Sequence, residues 1–230
     1  HNRVTECLQF RTPLFSEGEP NPRGEAMLGS MLARANLSHN CIHRVDSIDH
    51  HAFLEELSLS HNRIEHMQPL QALSHLQILD LSDNRLTDAS SLHGLRLKEL
   101  YLDDNKIADL TPISSLQELN ILSAARNNVS NLAPLHSLSQ LQAADMKQNS
   151  IQEIRQVAYL SGLAWFHTLI LTGNPCASKE YYRCVGPRLH AVKAGEMIRG
   201  ADCGHQLRVC TPGTEWSVGC CSSNCWTALR

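Results

Sequence analysis

Apolar residues recur along the middle of the chain in a fixed pattern that includes one asparagine. The stretches "FLEELSLSHNRI" from Phe53, "HLQILDLSDNRL" from His75 and "RLKELYLDDNKI" from Arg96 share the pattern L-x-x-L-x-L-x-x-N-x-[IL]. The asparagines are spaced by 22, 22, 21, 22, 22 and 25 residues, at Asn40, Asn62, Asn84, Asn105, Asn127, Asn149 and Asn174. Seven copies in near-constant register predict an array of stacked repeats.

Each repeat predicts one short strand followed by a turn at the asparagine. In the Phe53 stretch we expect the apolar residues to point inward and the polar ones outward, namely Leu54, Leu57 and Leu59 against Glu56, Ser58 and Ser60. The asparagine amides are expected to bond the backbone of neighbouring turns and form a buried polar ladder. One Asn→Ala substitution in such a ladder is expected to cost roughly 1–3 kcal/mol.

The segment after each asparagine carries apolar residues at every third position, as in Ile64, Met67, Leu70 and Leu73. A spacing of three is the period of the 3₁₀ helix. The predicted fold class is therefore an α/β solenoid: a leucine-rich repeat horseshoe with short parallel strands on the concave face and 3₁₀ turns on the convex face. The repeat of 25 residues has one extra position of this kind and predicts one extra turn.

The repeats and their flanks predict five segments. Val4, Cys7 and Phe10 keep the spacing of three after Asn2, so the chain is expected to start inside a truncated repeat, as a fragment. The stretch "RTPLFSEGEPNPRGEAMLGS" is rich in Pro, Gly and Glu and predicts a loop. The segments are 1–13, the tail of an upstream repeat; 14–30, a loop insertion; 31–175, seven leucine-rich repeats; 176–200, a C-terminal cap; and 201–230, a Cys-rich tail expected to be disordered.

Composition narrows the classes of function. The formal net charge of -3 offers no basic surplus for nucleic acid and no polybasic anchor for a membrane. No apolar run reaches the length of a bilayer span, and the first residues lack a signal-peptide layout, so a cytoplasmic location is expected. The Cys-rich tail contains no paired C-x-x-C spacing of a zinc ribbon, and we predict no metal and no cofactor.

Two stretches resemble a subfamily of these repeats. "LTGNPCASKEYYRCVGPRLHAVKAGE" resembles the closing cap of the 22-residue class typified by the regulatory subunit of protein phosphatase 1, with matches at Gly173, Asn174, Pro175, Tyr182, Arg183, Val185, Leu189 and Val192. "HNRVTECLQFRTP" and "MLARANLSHNCI" are similar to the first repeats of leucine-rich repeat proteins that carry a guanylate kinase domain. This resemblance implies an association with cilia, basal bodies and developing sperm. The chain itself contains no G-x-x-x-x-G-K-[ST] phosphate loop.

The outward strand positions are the candidate binding residues. Their acidic character around one tyrosine favours a partner protein with a basic or mixed surface, and the alternative is a merely solvated face. The predicted partner-binding residues are Glu56, Ser58, Asp80, Glu99, Tyr101, Asp103 and Asp145. His39 and His61 precede ladder asparagines at a position that varies between repeats, which indicates a surface turn and not a metal site.

The function predicted from the sequence is a non-enzymatic scaffold that binds a partner protein on the concave face. The sequence shows no constellation of nucleophile, base and oxyanion donors. Two alternatives rest on the resemblance. The chain is either a docking segment of a larger guanylate kinase-like nucleotide-binding protein, or a regulatory subunit of a protein phosphatase.

Overall fold

The computed structural model describes residues 7–9, 32–46, 51–67 and 70–178. The predicted insertion at 14–30, the predicted tail at 201–230, the cap beyond residue 178 and most of segment 1–13 lie outside the described residues. The described strands are β1 (Cys7–Gln9), β2 (Arg34–Asn36), β3 (Arg44–Asp46), β4 (Glu56–Ser58), β5 (His66–Met67), β6 (Ile78–Asp80), β7 (Glu99–Tyr101), β8 (Ile121–Ser123), β9 (Ala143–Asp145) and β10 (Thr168–Ile170).

One strand from each repeat joins a single parallel sheet of seven strands in the order β2-β4-β6-β7-β8-β9-β10. The strands stack without a register shift, so the central residues form one row: Ala35, Leu57, Leu79, Leu100, Leu122, Ala144 and Leu169. These central residues point into the solenoid, and from Leu57 to Leu169 they are buried. The predicted solenoid of short parallel strands is confirmed.

The predicted inward direction is correct for Leu54, Leu57 and Leu59, which are all buried. The predicted outward direction is correct for Glu56 and Ser58, which are half-buried on the outer face. It is wrong for Ser60, which is buried. Strand β4 ends at Ser58, so the alternation of the strand no longer applies two residues later. The Ser60 carbonyl accepts the His39 N–H at 3.0 Å, which places this residue against the preceding turn.

The asparagine ladder exists as predicted. Asn105 is 7% exposed, and its Nδ2 donates to the carbonyls of Leu81 at 2.9 Å and Leu102 at 3.1 Å. Its Oδ1 accepts the N–H of Leu86 at 2.9 Å. The same pattern recurs along the array: the asparagine Nδ2 donates to a carbonyl of the previous repeat, and its Oδ1 accepts a backbone N–H. In the described part of the chain no buried side-chain polar atom lacks a hydrogen-bond partner.

The convex face carries 3₁₀ helices from Asn84 onward, as the spacing of three predicts. The longest spans seven residues and belongs to the repeat of 25, the one with the extra apolar position. The helices are Ser90–Leu92, Thr111–Ser115, Ala133–Ser137, Ile154–Leu160 and Pro175–Ser178. In the shortest repeat, Gly94 takes a positive φ of 78°, which tightens the return to the sheet.

The earlier repeats carry strands on the convex side, where 3₁₀ turns were expected. Strands β1, β3 and β5 form a second parallel sheet in that order, with Cys7 paired to Arg44 and Arg44 paired to His66. The prediction of 3₁₀ turns throughout the convex face is therefore wrong for the repeats that contain these three strands.

The residue four positions after the ladder asparagine contributes to this difference. In three helical repeats it is an Asp or Asn whose side-chain oxygen accepts the N–H two residues later, at 2.8–3.0 Å, from Asp88, Asp109 and Asn131. This short side chain holds the backbone in a turn and starts the helix. Arg44 and His66 occupy the same position in the strand-bearing repeats, and neither offers an acceptor oxygen. The helix Ile154–Leu160 follows Glu153 without such a bond, so this turn favours the helix but is not required for it.

Candidate functional site

The concave face is built from the outward residues of the main sheet, the first and third of each strand. Parallel pairing without register shifts aligns them into two columns that cross the sheet. The first column is Arg34, Glu56, Ile78, Glu99, Ile121, Ala143 and Thr168. The second column is Asn36, Ser58, Asp80, Tyr101, Ser123, Asp145 and Ile170.

All seven residues predicted from the sequence are half-buried, and six of them lie in these two columns. The seventh, Asp103, follows strand β7 by two residues and hydrogen-bonds to Ser123 in the next strand. Side-chain bonds link neighbours across the strands, because Ser58 Oγ donates to Asp80 Oδ2 at 3.3 Å and Ser123 Oγ donates to Asp103 Oδ1 at 2.6 Å. Two predicted residues on adjacent strands, Ser58 and Asp80, are therefore in contact, and Asp103 is bonded to Ser123, which was not predicted.

Tyr101 lies at the centre of this face. Its hydroxyl donates to Glu99 Oε2 at 2.7 Å, two residues back on the same strand. Burial, the bond to Glu99, and the negative charges of Glu99, Asp80 and Asp103 together raise the pKa of Tyr101 to about 12. Three carboxylates therefore surround one phenol, and we call Asp80, Glu99, Tyr101 and Asp103 the Tyr101 cluster.

Cations neutralise the flanks of the face and leave its centre acidic. Arg34 Nε lies 3.4 Å from a Glu56 carboxylate oxygen, and Lys147 Nζ lies 3.2 Å from Asp145 Oδ2. Within the ranges that the structure describes, the three carboxylates of the Tyr101 cluster form no salt bridge. The cluster is thus a local concentration of negative charge, and the carboxylates Glu56 and Asp145 at the two flanks are each paired with a cation.

Two of the acidic residues also have a structural role. Asp80 Oδ1 accepts the N–H of Ser82 at 3.0 Å, and Asp145 Oδ1 accepts the N–H of Lys147 at 3.0 Å. These are turns in which an Asp side chain mimics the backbone at a strand end. An Asn at either position would keep the turn and remove only the charge, which separates the two roles experimentally.

Sequence reasoning missed the apolar residues of the face. Ile78 and Ile121 are half-buried in the first column, on either side of Glu99. Their position is the one that Glu56 and Glu99 fill in neighbouring repeats, so alignment of the repeats was sufficient to find them. A shallow depression of about 370 Å³ lies over strands β2, β4 and β6 and ends at Ile78, lined by Arg34, Asn36, Glu56, Ser58, Ile78 and Asp80.

The turns that contain His39 and His61 lie at the surface, as predicted. Each ladder asparagine is preceded by a residue with positive φ, at 51–56° for the non-glycine residues. The two imidazole rings stack at 4.2 Å, and His61 Nδ1 lies 2.6 Å from Asp83 Oδ2 in the next repeat. Across the described residues, no three His, Cys, Asp or Glu side chains lie close enough together to hold a metal ion. The same part of the chain has no helix with the length and hydropathy of a bilayer span.

This fold and face define a leucine-rich repeat solenoid with an open concave sheet. Residues 54–107 match the family model described as Leucine rich repeat. That match covers the whole Tyr101 cluster and the part of the depression formed by strands β4 and β6. No curated protein sequence gives a significant match.

Solved structures share the fold. An internalin (inlF) from Listeria monocytogenes is 21% identical with a TM-score of 0.51, over 64% of this chain and 52% of that chain. A leucine-rich repeat protein of Leptospira interrogans is 23% identical with a TM-score of 0.54, over 64% of this chain and 44% of that chain. The chain thus spans about half the length of the solved structures that it matches. At these identities the likeness shows the fold alone.

Proposed function

We propose that this chain is a non-enzymatic scaffold that binds a partner protein on its concave face. The observation that supports the proposal is the Tyr101 cluster, three carboxylates around a half-buried phenol, with Ile78 and Ile121 on either side of Glu99 in the adjacent column. Tyrosine next to apolar residues is typical of the energetically dominant centre of protein interfaces. Leucine-rich repeat solenoids commonly present their curved surfaces to protein partners.

The partner that suits this face has a basic or mixed surface. Positive potential opposite the cluster speeds association and fixes the register of the complex. The resemblance to the phosphatase-regulatory and guanylate-kinase-associated repeats supports a cytoplasmic location, with cilia or the cytoskeleton as the site of action. If the chain is part of a larger nucleotide-binding protein or a phosphatase complex, the same face is the proposed docking surface.

Site-directed photo-crosslinking tests where the partner binds. Ala143 lies half-buried on concave strand β9, whereas Ala158 is exposed on a convex 3₁₀ helix, and each is replaced separately by p-benzoylphenylalanine. We expect one discrete crosslinked protein from the Ala143 position and none from the Ala158 position. Crosslinks from the convex position alone would overturn the proposal.

Charge removal supplies the second test. The pair Asp80→Asn and Asp103→Asn keeps the acceptors for the Ser82 and Ala125 N–H groups and deletes two negative charges. The matched control deletes two exposed charges outside the face, Glu55→Gln with Glu118→Gln. We expect the first pair to weaken crosslinking from Ala143 and the second to leave it unchanged.

A further inference from the structure

We propose that the partner inserts one lysine or arginine side chain at the edge of the concave depression, with its aliphatic stem over Ile78 and its cation on the neighbouring strand, between Asp80 and Glu99 against Tyr101. This inference rests on the proposed function and specifies the chemistry of the residue that the face receives. It assigns one side chain of the partner to one place on the sheet.

The charge balance of the face calls for a cation from outside the described chain. A partner that covers the Tyr101 cluster removes water from three carboxylates, and each loses hydration that only a positive group restores. Arg34 and Lys147 are already paired with Glu56 and Asp145. Arg126 interacts electrostatically with Asp103, but its guanidinium is hydrogen-bonded to Asp104. An apolar or acidic partner residue at this place would therefore be rejected.

The shape of the face calls for a long side chain with an apolar stem. The depression of about 370 Å³ has Ala35, Leu57 and Ile78 as its apolar lining, and Ile78 lies on the strand next to Tyr101. Its size is at the lower end of the range for ligand pockets. Lysine and arginine bury their methylene stems on apolar surface and keep the charged head near polar groups. In the sheet register Ile78 is directly beside Glu99, and Asp80 is directly beside Tyr101.

Tyr101 supplies an aromatic ring next to the carboxylates. Its hydroxyl donates to Glu99 on the same strand, which holds this outward phenol on the concave face. A cation within about 6 Å of a tyrosine ring centre is attracted by the negative face of the π-system. The Glu99 carboxylate stands at the same place, so ring and carboxylate act on one cation.

Peptide pools with one fixed position test the inference directly on the purified full chain. The immobilised protein is incubated with pools of short peptides whose central residue is arginine, lysine, norleucine, glutamine or glutamate in an otherwise identical random background. Retained peptides are quantified by mass spectrometry. We expect the arginine and lysine pools to be enriched about tenfold over norleucine, the ratio that corresponds to roughly 1.4 kcal/mol.

Variants locate the bound cation. Asp80→Asn with Glu99→Gln is expected to abolish the enrichment, and Ile78→Ser to reduce it severalfold, whereas Glu55→Gln with Glu118→Gln leaves it intact. Tyr101→Phe keeps the ring and is expected to retain most of the enrichment, while Tyr101→Ser loses about as much as one cation–π contact supplies, roughly two- to thirtyfold. Circular dichroism on each variant confirms that the repeats remain folded.

Equal enrichment of the norleucine and arginine pools would overturn the inference, as would an arginine preference that survives Asp80→Asn with Glu99→Gln. The two proposals fail separately. If the Ala143 crosslink persists while the basic pools show no enrichment, the concave face binds a protein without the inserted cation. If the crosslink from Ala143 is absent, the proposed function itself is wrong.

Discussion

Replacement of Asn105 by alanine is the sharpest test of what holds the solenoid together. The amide of this residue donates to the carbonyls of Leu81, Leu102 and Asp103 at 2.9, 3.1 and 3.1 Å. Its Oδ1 accepts the N–H of Leu86 at 2.9 Å. Four backbone groups from two repeats therefore converge on one buried side chain, and alanine reaches none of them.

The cost follows from which backbone groups retain another partner. The three carbonyls keep a second donor each, namely Asn84 Nδ2, Asn127 Nδ2 and the Asp83 N–H. The Leu86 N–H loses the one acceptor that the described residues give it, and a buried group left unsatisfied costs about 1–3 kcal/mol. The loss of the three donated bonds adds a few tenths of a kcal/mol each. We therefore expect Asn105→Ala to destabilise the protein by about 3 kcal/mol.

Urea denaturation followed by circular dichroism measures this cost as a shift in the midpoint at constant slope. The control is Asn128→Ala in the following repeat, where the asparagine is exposed and its backbone N–H remains bonded to the Ile107 carbonyl. That variant is expected to stay within about 0.5 kcal/mol of the wild type. If both substitutions shift the midpoint equally, the ladder does not carry the stability assigned to it here.

Three further predictions concern single groups. Burial and the bond to Glu99 raise the pKa of Tyr101 to about 12, so its phenolate absorbance, isolated by difference from Tyr101→Phe, should appear near pH 12 in the wild type and at a lower pH, still above 10.0, in Glu99→Gln. Because the folded pKa is raised, the stability from this group is full below pH 10.0 and is lost as the pH rises from 10.0 to about 12. Hydrogen bonding to the Arg126 guanidinium lowers the pKa of Asp104 below 3.8. In urea titrations the stability difference between wild type and Asp104→Asn should therefore be full above pH 3.8 and shrink as the pH falls below that value. Gly173 has a φ of +79°, and a Cβ there would lie 2.8 Å from Gln148 Cγ in the previous repeat. Gly173→Ala should therefore lower the free energy of unfolding by about 1–2 kcal/mol, measured by thermal unfolding. Gly162→Ala is the control and should cause no such loss, because a Cβ at Gly162 would meet open space.

The periodic features of the fold were predictable because each is repeated. The buried leucines and the asparagine ladder follow from a pattern present in seven copies, and every copy constrains the reading of the others. The convex face was less predictable, since residues outside the apolar pattern contribute to its conformation. Asp88 and Asp109 are each followed by a 3₁₀ helix, whereas Arg44 and His66 at the same repeat position lie in strands. The apolar spacing of three is the same in both cases.

The candidate site was only partly predictable for a different reason. The sequence places Asp80, Glu99 and Asp103 on outward positions, but it does not show which charges on the sheet are paired. The structure pairs cations with carboxylates at the two flanks and leaves the carboxylates around Tyr101 without one in the described chain. The acidity of the face is therefore local and not a property of its overall composition. A partner is then selected by where its positive charge lies, because a cation displaced by two strands, about 10 Å, would meet a flank that is already neutral.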